Sequence, residues 1–300
     1  MKFIALLLSV LIERTSTSLF NLGEIRWLDR YFDVGLSMVR GVGGWPGAFV
    51  ALLVVSLPVL PVAWIALSFQ GVLWGAVYLA FAVLVLLFSL GPRDLSSEVD
   101  DFIRATLSGD TERAHHVARE LLETEPPQDR TRRSLALEEA VFVQSNNRSF
   151  GVIVWFVVLG PAGAWLFRVT DLMRRRAFFE ADRARERGEE CGRDVASVQR
   201  LHGLLAWLPS RLVALTFALA GSFEPAVADW RNYYRNCSEH FFDVNEEIVA
   251  CAGLGALGGP PETQEDAVVA GAEAAMGLVH RSEIIWLVAV AVLTAIGMLA

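Results

Sequence analysis

The chain has 300 residues, of which 54% are hydrophobic, and its mean hydropathy is +0.42. This hydropathy is well above that of an ordinary soluble domain and indicates an integral membrane protein. The 26 basic residues are outnumbered by 34 acidic residues, so no basic surface is left unneutralised, which argues against nucleic-acid binding.

An apolar segment at residues 3–20 contains Glu13 and Arg14 after a run of about ten apolar residues. That run is too short to cross a bilayer alone, so we expect a half-helix that packs against other membrane helices. A cleaved secretory signal is the alternative, but Ser16–Thr17–Ser18 offers no small-x-small cleavage site.

Two membrane passes are predicted next, at residues 47–69 and 71–90, because the stretch Gly41–Pro92 contains no Asp, Glu, Lys or Arg. Pro58 and Pro61 fall inside the first pass, where each removes a backbone donor and frees a carbonyl group. Since lipid offers no hydrogen bonds, neighbouring helices or Ser56 must satisfy those carbonyls, and we expect a kink that faces protein.

Residues 92–148 are charged and have helical spacing of apolar positions. Ser97 and Asp110 are predicted N-caps of two short amphipathic helices. A further helix is predicted from about Thr131 into the next apolar run.

The third apolar run, residues 149–167, has Arg148 before it and Arg174–Arg176 after it, and a charged helical segment, residues 168–203, follows. The positive-inside rule would place both flanks in the cytoplasm, which a single crossing does not allow. Because Gly160–Gly163 reads "GPAG", we predict a broken or re-entrant helix rather than one straight helix.

The fourth apolar segment, residues 204–223, carries Trp207, Pro209 and Arg211 near its start. Proline suits the first turn of a helix, so we predict that Pro209 begins a helix whose first turn presents Arg211. The free N–H groups of such a turn, together with the guanidinium fork, would favour an anion, and we expect Trp207 and Pro209 to direct Arg211 into an interior polar site.

A small-residue and Pro/Gly loop is predicted at residues 251–271, and a last apolar segment at 284–300. No strand alternation occurs anywhere in the sequence. The predicted fold class is therefore all-α, a polytopic helical membrane protein with amphipathic cytoplasmic helices.

Polar side chains within or beside the apolar runs are the candidates for function, because an ionisable group there is by default paired or lining a cavity. They are Glu13, Arg14, Asn146, Asn147, Arg148, Arg168, Asp171 and Arg211. Anchoring at the membrane interface is the alternative for Arg148 and Arg168. We expect Glu13 to pair with Arg211 or Arg168. A salt bridge from Arg211 to Glu13 or Asp171 is the structural alternative to a ligand site.

Known catalytic and metal motifs are not found in the sequence. Cys191, Cys237 and Cys251 form no CxxC pair, which argues against a disulfide framework and a thiolate zinc site. His115 and His116 are adjacent and point in different directions on a helix, so we predict solvated histidines and no metal site. No cofactor and no catalytic residue are predicted.

Several stretches, in the same order along the chain, resemble the AmpE family of membrane proteins. They are Glu13–Arg14, "LGEIRWLD" (Leu22–Asp29), "NNRSFGVIVWF" (Asn146–Phe156), "LGPAGAWLFR" (Leu159–Arg168), "LAWLPSRLVALTFALAG" (Leu205–Gly221) and "AVLTAIGMLA" (Ala291–Ala300). The segment at Leu205–Gly221 also resembles the related CobD/CbiB synthases of the cobalamin pathway.

The synthases differ from this chain at acidic positions. Their E-N-T-S-D-G stretch is "SNNRSFG" here, and their L-D-D-L-L-N-W-I-P pattern becomes Leu201–Pro209 without its two acids and its amide. An ATP-dependent amide-forming enzyme needs carboxylates to hold magnesium, so the enzyme interpretation is the weaker one. The residues that survive could form a pocket for an anionic or amide-rich molecule; they are Asp110, Glu139, Asn147, Arg168 and Arg211.

The resemblance to AmpE implies a regulatory protein of the bacterial inner membrane that takes part in β-lactamase induction, in a pathway whose signals are cell-wall muropeptides. It would bind a muropeptide or another small anionic ligand, or a protein partner. The alternatives are an amide-bond-forming synthase and a transporter, although no internal repeat favours transport.

Overall fold

The computed structural model describes residues 4–9, 27–69, 75–90, 95–188, 192–236, 244–258 and 267–296. Throughout these ranges the regular secondary structure is helical and no strand occurs, which confirms the all-α prediction. Glu13 and Arg14 lie outside the described residues, as does most of the predicted half-helix at residues 3–20, of which residues 4–9 are helical.

Beyond residues 4–9, the helices follow one another along the chain with short connections. They are α1 (Trp27–Val42), α2 (Gly44–Ser68), α3 (Ala76–Leu90), α4 (Leu95–Leu107), α5 (Thr111–Leu122), α6 (Arg130–Ser145), a π-helical turn (Asn146–Phe150), α7 (Gly151–Leu159), α8 (Pro161–Glu186), α9 (Arg193–Ala220), α10 (Phe223–Asn236), α11 (Asn245–Leu257) and α12 (Ala267–Ala295).

The chain divides into two compact units. The first unit comprises Met1–Pro92, Gly151–Trp207 and Leu293–Ala300, and the second comprises Arg93–Phe150 and Leu208–Val292. Each unit has its own apolar core, since buried side chains recur at helical spacing on one face of each contributing helix.

The core of the first unit joins α1, α2, α8 and α9. Its buried side chains include Leu28, Phe32 and Leu36 on one face of α1, and Val169 and Met173 on α8. The spacing of four residues on both helices places each set on a single stripe.

Aromatic side chains form the centre of the second unit. Phe142 of α6 packs against Phe217 of α9 with ring centroids 5.0 Å apart, and Phe150 packs edge-on against the same ring. Gly253 of α11 packs directly against the Phe142 ring, since a Cβ atom at this position would lie only 2.3 Å from the ring. A glycine is needed at this point for α11 to approach α6 closely.

Side chains from other helices satisfy carbonyls in α2, as the sequence predicts. Pro58 has no N–H for the carbonyl of Val54, and the Tyr31 hydroxyl of α1 donates to that oxygen instead. The Trp165 indole of α8 donates to the carbonyl of Pro58 itself at 3.2 Å. Pro58 therefore lies on a side of α2 that faces protein, whereas Pro61 is exposed.

The prediction that Pro209 begins a helix is wrong. α9 begins at Arg193, and Pro209 lies in its interior. The missing N–H of Pro209 frees the carbonyl of Leu205 four residues earlier, and the Trp155 indole of α7 donates to that oxygen at 2.9 Å. This external donor lets the helix continue through a proline that would otherwise break it.

The predicted break in the third apolar run is confirmed. α7 ends at Leu159, Gly160 has φ of 69°, and α8 begins at Pro161. A Cβ atom on Gly163 would lie 2.2 Å from the Trp155 carbonyl oxygen, so the two helices meet backbone to backbone at this corner. Only glycine allows that approach.

Two other boundaries differ from the sequence predictions. Ser97 lies inside α4, which begins at Leu95, so it is not the N-cap; Asp110 is the N-cap of α5, as predicted. The first part of the predicted loop at 251–271 is helical, because α11 runs to Leu257. Small residues there pack closely against other helices rather than forming a loop.

Within the part of the chain that the structure describes, four segments are long and apolar enough to cross a membrane: Gly44–Ser68, Ala76–Leu107, Arg193–Ala220 and Ala267–Ala295. The second of these segments covers α3 and α4, and residues 91–94 between them lie outside the described residues. On α2 the large apolar side chains from Trp45 to Leu67 are mostly exposed, with Trp64 at 71%. Such a continuous apolar face is stable in lipid and not in water. The chain is a membrane protein.

Candidate ligand-binding site

A buried polar cluster surrounds the first residues of α11 in the second unit. We call it the α11 cluster, and it consists of Asn147, Ser210, Arg211, Asn245 and Glu246. These residues come from three elements: the π-helical turn, α9 and α11. Asn147 contacts Glu246, while Ser210 and Arg211 contact the neighbouring Asn245, so polar groups from separate elements meet the first turn of α11.

One side of the α11 cluster is a chain of amides that ends on a carboxylate. The side-chain amide of Asn147 donates to Glu246 Oε1 at 3.3 Å. The Asn146 amide donates to Asn147 Oδ1, also at 3.3 Å. Both asparagines are buried, and the buried Oδ1 of Asn146 accepts no hydrogen bond from the described residues. A buried acceptor of this kind is suited to a donor from a ligand.

The π-helical turn explains how two successive asparagines reach the interior. A π-helical turn is wider than an α-helical turn and adds one residue, which rotates the side chains that follow. Asn146, Asn147 and Arg148 are all buried as a result. Such turns occur frequently at functional sites.

The other side of the α11 cluster is formed by Arg211. Its Nη1 donates to Ser210 Oγ at 2.9 Å and to Asn245 Oδ1. The Ser210 hydroxyl in turn donates to the same Asn245 oxygen at 3.4 Å. Arg211 therefore contacts α11 from the middle of α9 and not from a helix N-terminus, and its role in lining a ligand site stays a prediction. The anion site that we expected from free N–H groups near Pro209 does not exist.

Glu139 of α6 lies close enough to the first turn of α11 for the charge of Glu247 to act on it. Its pKa is raised by partial burial of its carboxyl group and by the charge of Glu247, although the side chain as a whole keeps an exposed surface on α6. Glu247 follows Glu246 in the first turn of α11. The α11 cluster is thus bordered by carboxylates, and together with Arg211 it offers donors and acceptors of both charges.

Arg148, although it belongs to the π-helical turn, has different partners. Its Nη1 lies 2.7 Å from Glu98 Oε2, and its Nε donates to Gln144 Oε1 at 3.0 Å. Gln144 also donates to the carbonyl of Leu121 at 3.2 Å. Arg148 and Glu98 are both almost fully buried, so interfacial anchoring is wrong for Arg148, which instead ties α4, α5 and α6 together.

Arg168 and Asp171 belong to the first unit, where they form a second buried cluster. Asp171 is fully buried and lies 3.3 Å from Arg168, 3.2 Å from Arg174 and 3.1 Å from Arg175. His202 of α9 lies 4.0 Å away. Burial alone would raise the pKa of Asp171, but the charges of Arg175, Arg174 and Arg168 hold it well below its ordinary value. Arg168 is therefore a buried partner of Asp171, not an interfacial anchor.

The remaining predicted residues have other positions. Asp110 caps α5 by accepting the backbone N–H of Arg113 at 3.1 Å, and its surroundings are exposed. Trp207 is 39% exposed on α9, in the first unit. Glu13 and Arg14 are outside the described residues, so the pairing of Glu13 with Arg168 or Arg211 stays a prediction.

Ser210, Asn245 and Glu246 were not predicted as site residues. The sequence contains one signal for the last two, since "NEEIVACAGLG" places an amide and two acids directly before a run of small and apolar residues. Ser210 carries no such signal. Within the described ranges no group of three His, Cys, Asp or Glu side chains could hold a metal ion, and His115 and His116 are exposed.

The chain is similar in sequence to known proteins. The model of one protein family, "Regulatory signalling modulator protein AmpE", matches residues 1–300. Two similar relatives carry the name "Cobalamin biosynthesis protein CobD". The relative from Chromobacterium violaceum is 28% identical over 181 residues, which is 59% of this chain and 53% of that protein. The relative from Stutzerimonas stutzeri is 26% identical over 203 residues, 67% of this chain and 62% of that protein.

The chain therefore spans less than two thirds of the length of either relative. No solved structure matches it. Because the family match extends over the whole chain, this protein belongs to the AmpE family of regulatory signalling modulator proteins.

Proposed function

We propose that this chain is a multi-pass regulatory protein of the bacterial inner membrane that modulates β-lactamase induction by binding a small polar ligand derived from the cell wall. Four apolar helices of sufficient length support several crossings. Membership in a family of signalling modulators supports a regulatory role.

The α11 cluster is the observation that carries the ligand proposal. Amides, a guanidinium and a carboxylate lie together among apolar helices, where polar side chains are costly and usually functional. Peptide-like ligands such as muropeptides present amide and carboxylate groups that this set can pair with. The buried Oδ1 of Asn146 would accept one ligand N–H.

A β-lactamase induction assay tests the proposal. A strain that lacks this protein is complemented with wild type, Arg211→Lys or the control Arg132→Lys, at matched amounts in the membrane. Lysine keeps the charge of Arg211 but loses the planar fork, so we expect Arg211→Lys to lose modulation. Arg132 is exposed on α6, and Arg132→Lys should behave as wild type. Modulation retained by Arg211→Lys would contradict the proposal.

A synthase of the CobD type is the second candidate, favoured by the two curated relatives. It requires amide-bond formation that depends on ATP and magnesium. The loss of acids in "SNNRSFG" and in Leu201–Pro209 weighs against it. Turnover of ATP by the purified chain in the presence of an amine and an acid substrate would favour this candidate over regulation.

A further inference from the structure

A separate cavity lies in the second unit between α4, α5, α6 and the first turn of α12, and its volume is about 520 Å³. This volume is in the range of sites that hold small molecules. None of the α11 cluster residues lines it. It is therefore a distinct candidate site.

The floor of the cavity is apolar and well packed. Phe102 and Ala105 of α4, Ala118 of α5 and Val268 of α12 line it, and each is at least nine-tenths buried. The short side chains of Ala105 and Ala118 leave the space that larger residues would fill. A compact aliphatic group would bury its surface here at about 25 cal/mol per Å².

One wall of the cavity carries a fixed positive charge. Arg133 of α6 lines the cavity, and two backbone carbonyls of the α5–α6 connection hold its guanidinium: Nε donates to Pro127 at 2.8 Å and Nη2 donates to Gln128 at 3.1 Å. These carbonyls orient the group without neutralising its charge. Two of its five N–H donors are used, so others remain for an acceptor.

No carboxylate of the described residues lies within 4.0 Å of the Arg133 guanidinium. Asp129, the nearest acidic residue along the connection, caps α6 by accepting the backbone N–H of Arg132 at 2.9 Å. Glu125 lies 3.3 Å from His115 Nε2 and 3.1 Å from Arg119 Nε. The cavity thus combines an apolar floor with a positioned cation that forms no ion pair with a carboxylate of the described residues.

We propose that this cavity binds a small aliphatic carboxylate, with its hydrocarbon part on the floor between α4 and α5 and its carboxylate on Arg133. A guanidinium recognises a carboxylate through paired hydrogen bonds, and the held orientation of Arg133 reduces the entropy lost on binding. This inference is independent of the proposed function, because it concerns different residues and a different ligand.

Calorimetric titration of the purified full chain tests the inference. The probe is 4-methylpentanoate, and its uncharged analogue 4-methylpentanamide is the matched ligand control. We expect saturable binding of the acid and roughly tenfold weaker binding of the amide, a difference of about 1.4 kcal/mol, since a hydrogen bond between two charged groups is stronger than one to a neutral amide.

Three variants separate the charge from the shape of the cavity. Arg133→Gln should weaken binding of the acid roughly tenfold, whereas Arg132→Gln, one position away and exposed, should leave it unchanged. Ala114→Leu should also weaken binding, because Ala114 lines the cavity and the larger side chain occupies part of its volume while Arg133 is kept. Equal binding of acid and amide, or binding unaffected by Arg133→Gln and Ala114→Leu, would overturn the inference.

Discussion

The hydrogen bond from Trp155 to the carbonyl of Leu205 should add to the free energy of unfolding only because Pro209 is present. In the wild type this carbonyl has no backbone partner at position 209, and the indole donates to it at 2.9 Å. Trp155→Phe removes the donor and leaves a partly buried carbonyl without a hydrogen bond, which costs about 1–3 kcal/mol of unfolding free energy beyond any loss of packing.

Replacing the proline should remove this dependence. In Pro209→Ala the new N–H donates to Leu205 within α9, so the carbonyl keeps a partner when the indole is absent. The packing loss of Trp155→Phe is the same in both backgrounds. The double-mutant cycle should therefore give a coupling free energy of about 1–3 kcal/mol, larger than the deviation from additivity of roughly 0.3–0.5 kcal/mol that independent sites show.

Unfolding by dodecyl sulfate in mixed micelles measures each free energy. Trp165→Phe is a matched control, because its indole donates to the carbonyl of Pro58 in α2 and should not couple to Pro209→Ala. If Trp155→Phe costs the same with proline and with alanine at position 209, the indole does not compensate for the proline and the reasoning fails.

Three further changes test packing and charge. Gly163→Ala should destabilise the protein by about 1–3 kcal/mol, since its Cβ would lie 2.2 Å from the Trp155 carbonyl oxygen. Gly41→Ala is the control: a Cβ atom at Gly41 would have no neighbour within 4 Å, so this variant should unfold at the same or a higher temperature than wild type. Burial raises the pKa of Glu138 in the folded protein. The free energy of unfolding therefore falls as pH rises above about 4.3, the ordinary pKa of a glutamate in the unfolded chain. Glu138→Gln should raise the free energy of unfolding at pH 7 and flatten its dependence on pH. Glu98→Gln should lower unfolding free energy by about 3 kcal/mol, because it leaves the buried guanidinium of Arg148 without its carboxylate, and a loss near zero would contradict this.

The sequence predicts the helical elements well where hydropathy decides them. The predicted passes at 47–69 and 71–90 correspond to α2 and α3, and the glycine and proline at positions 160 and 161 mark the break between α7 and α8. In each case a local rule, either the absence of charge or the backbone restriction of proline and glycine, determines the result.

The sequence fails where a distant side chain overrides the local rule. Pro209 is a good helix-starting residue by local criteria, but an indole from α7 makes it tolerable inside α9. In the sequence Arg148 and Arg168 resemble interfacial anchors, because each stands at an end of an apolar run. In the fold Arg148 pairs with buried Glu98, and Arg168 pairs with buried Asp171. Ser210 is ordinary in sequence and becomes part of the α11 cluster only through the fold.

Binding of a purified muropeptide to the full chain in nanodiscs tests most directly the central claim that the α11 cluster is a ligand site. We predict saturable binding to wild type that is lost in Arg211→Lys, with both proteins unfolding at the same temperature and Arg132→Lys binding as wild type. Equal binding to wild type and Arg211→Lys, or none to either, would contradict the account.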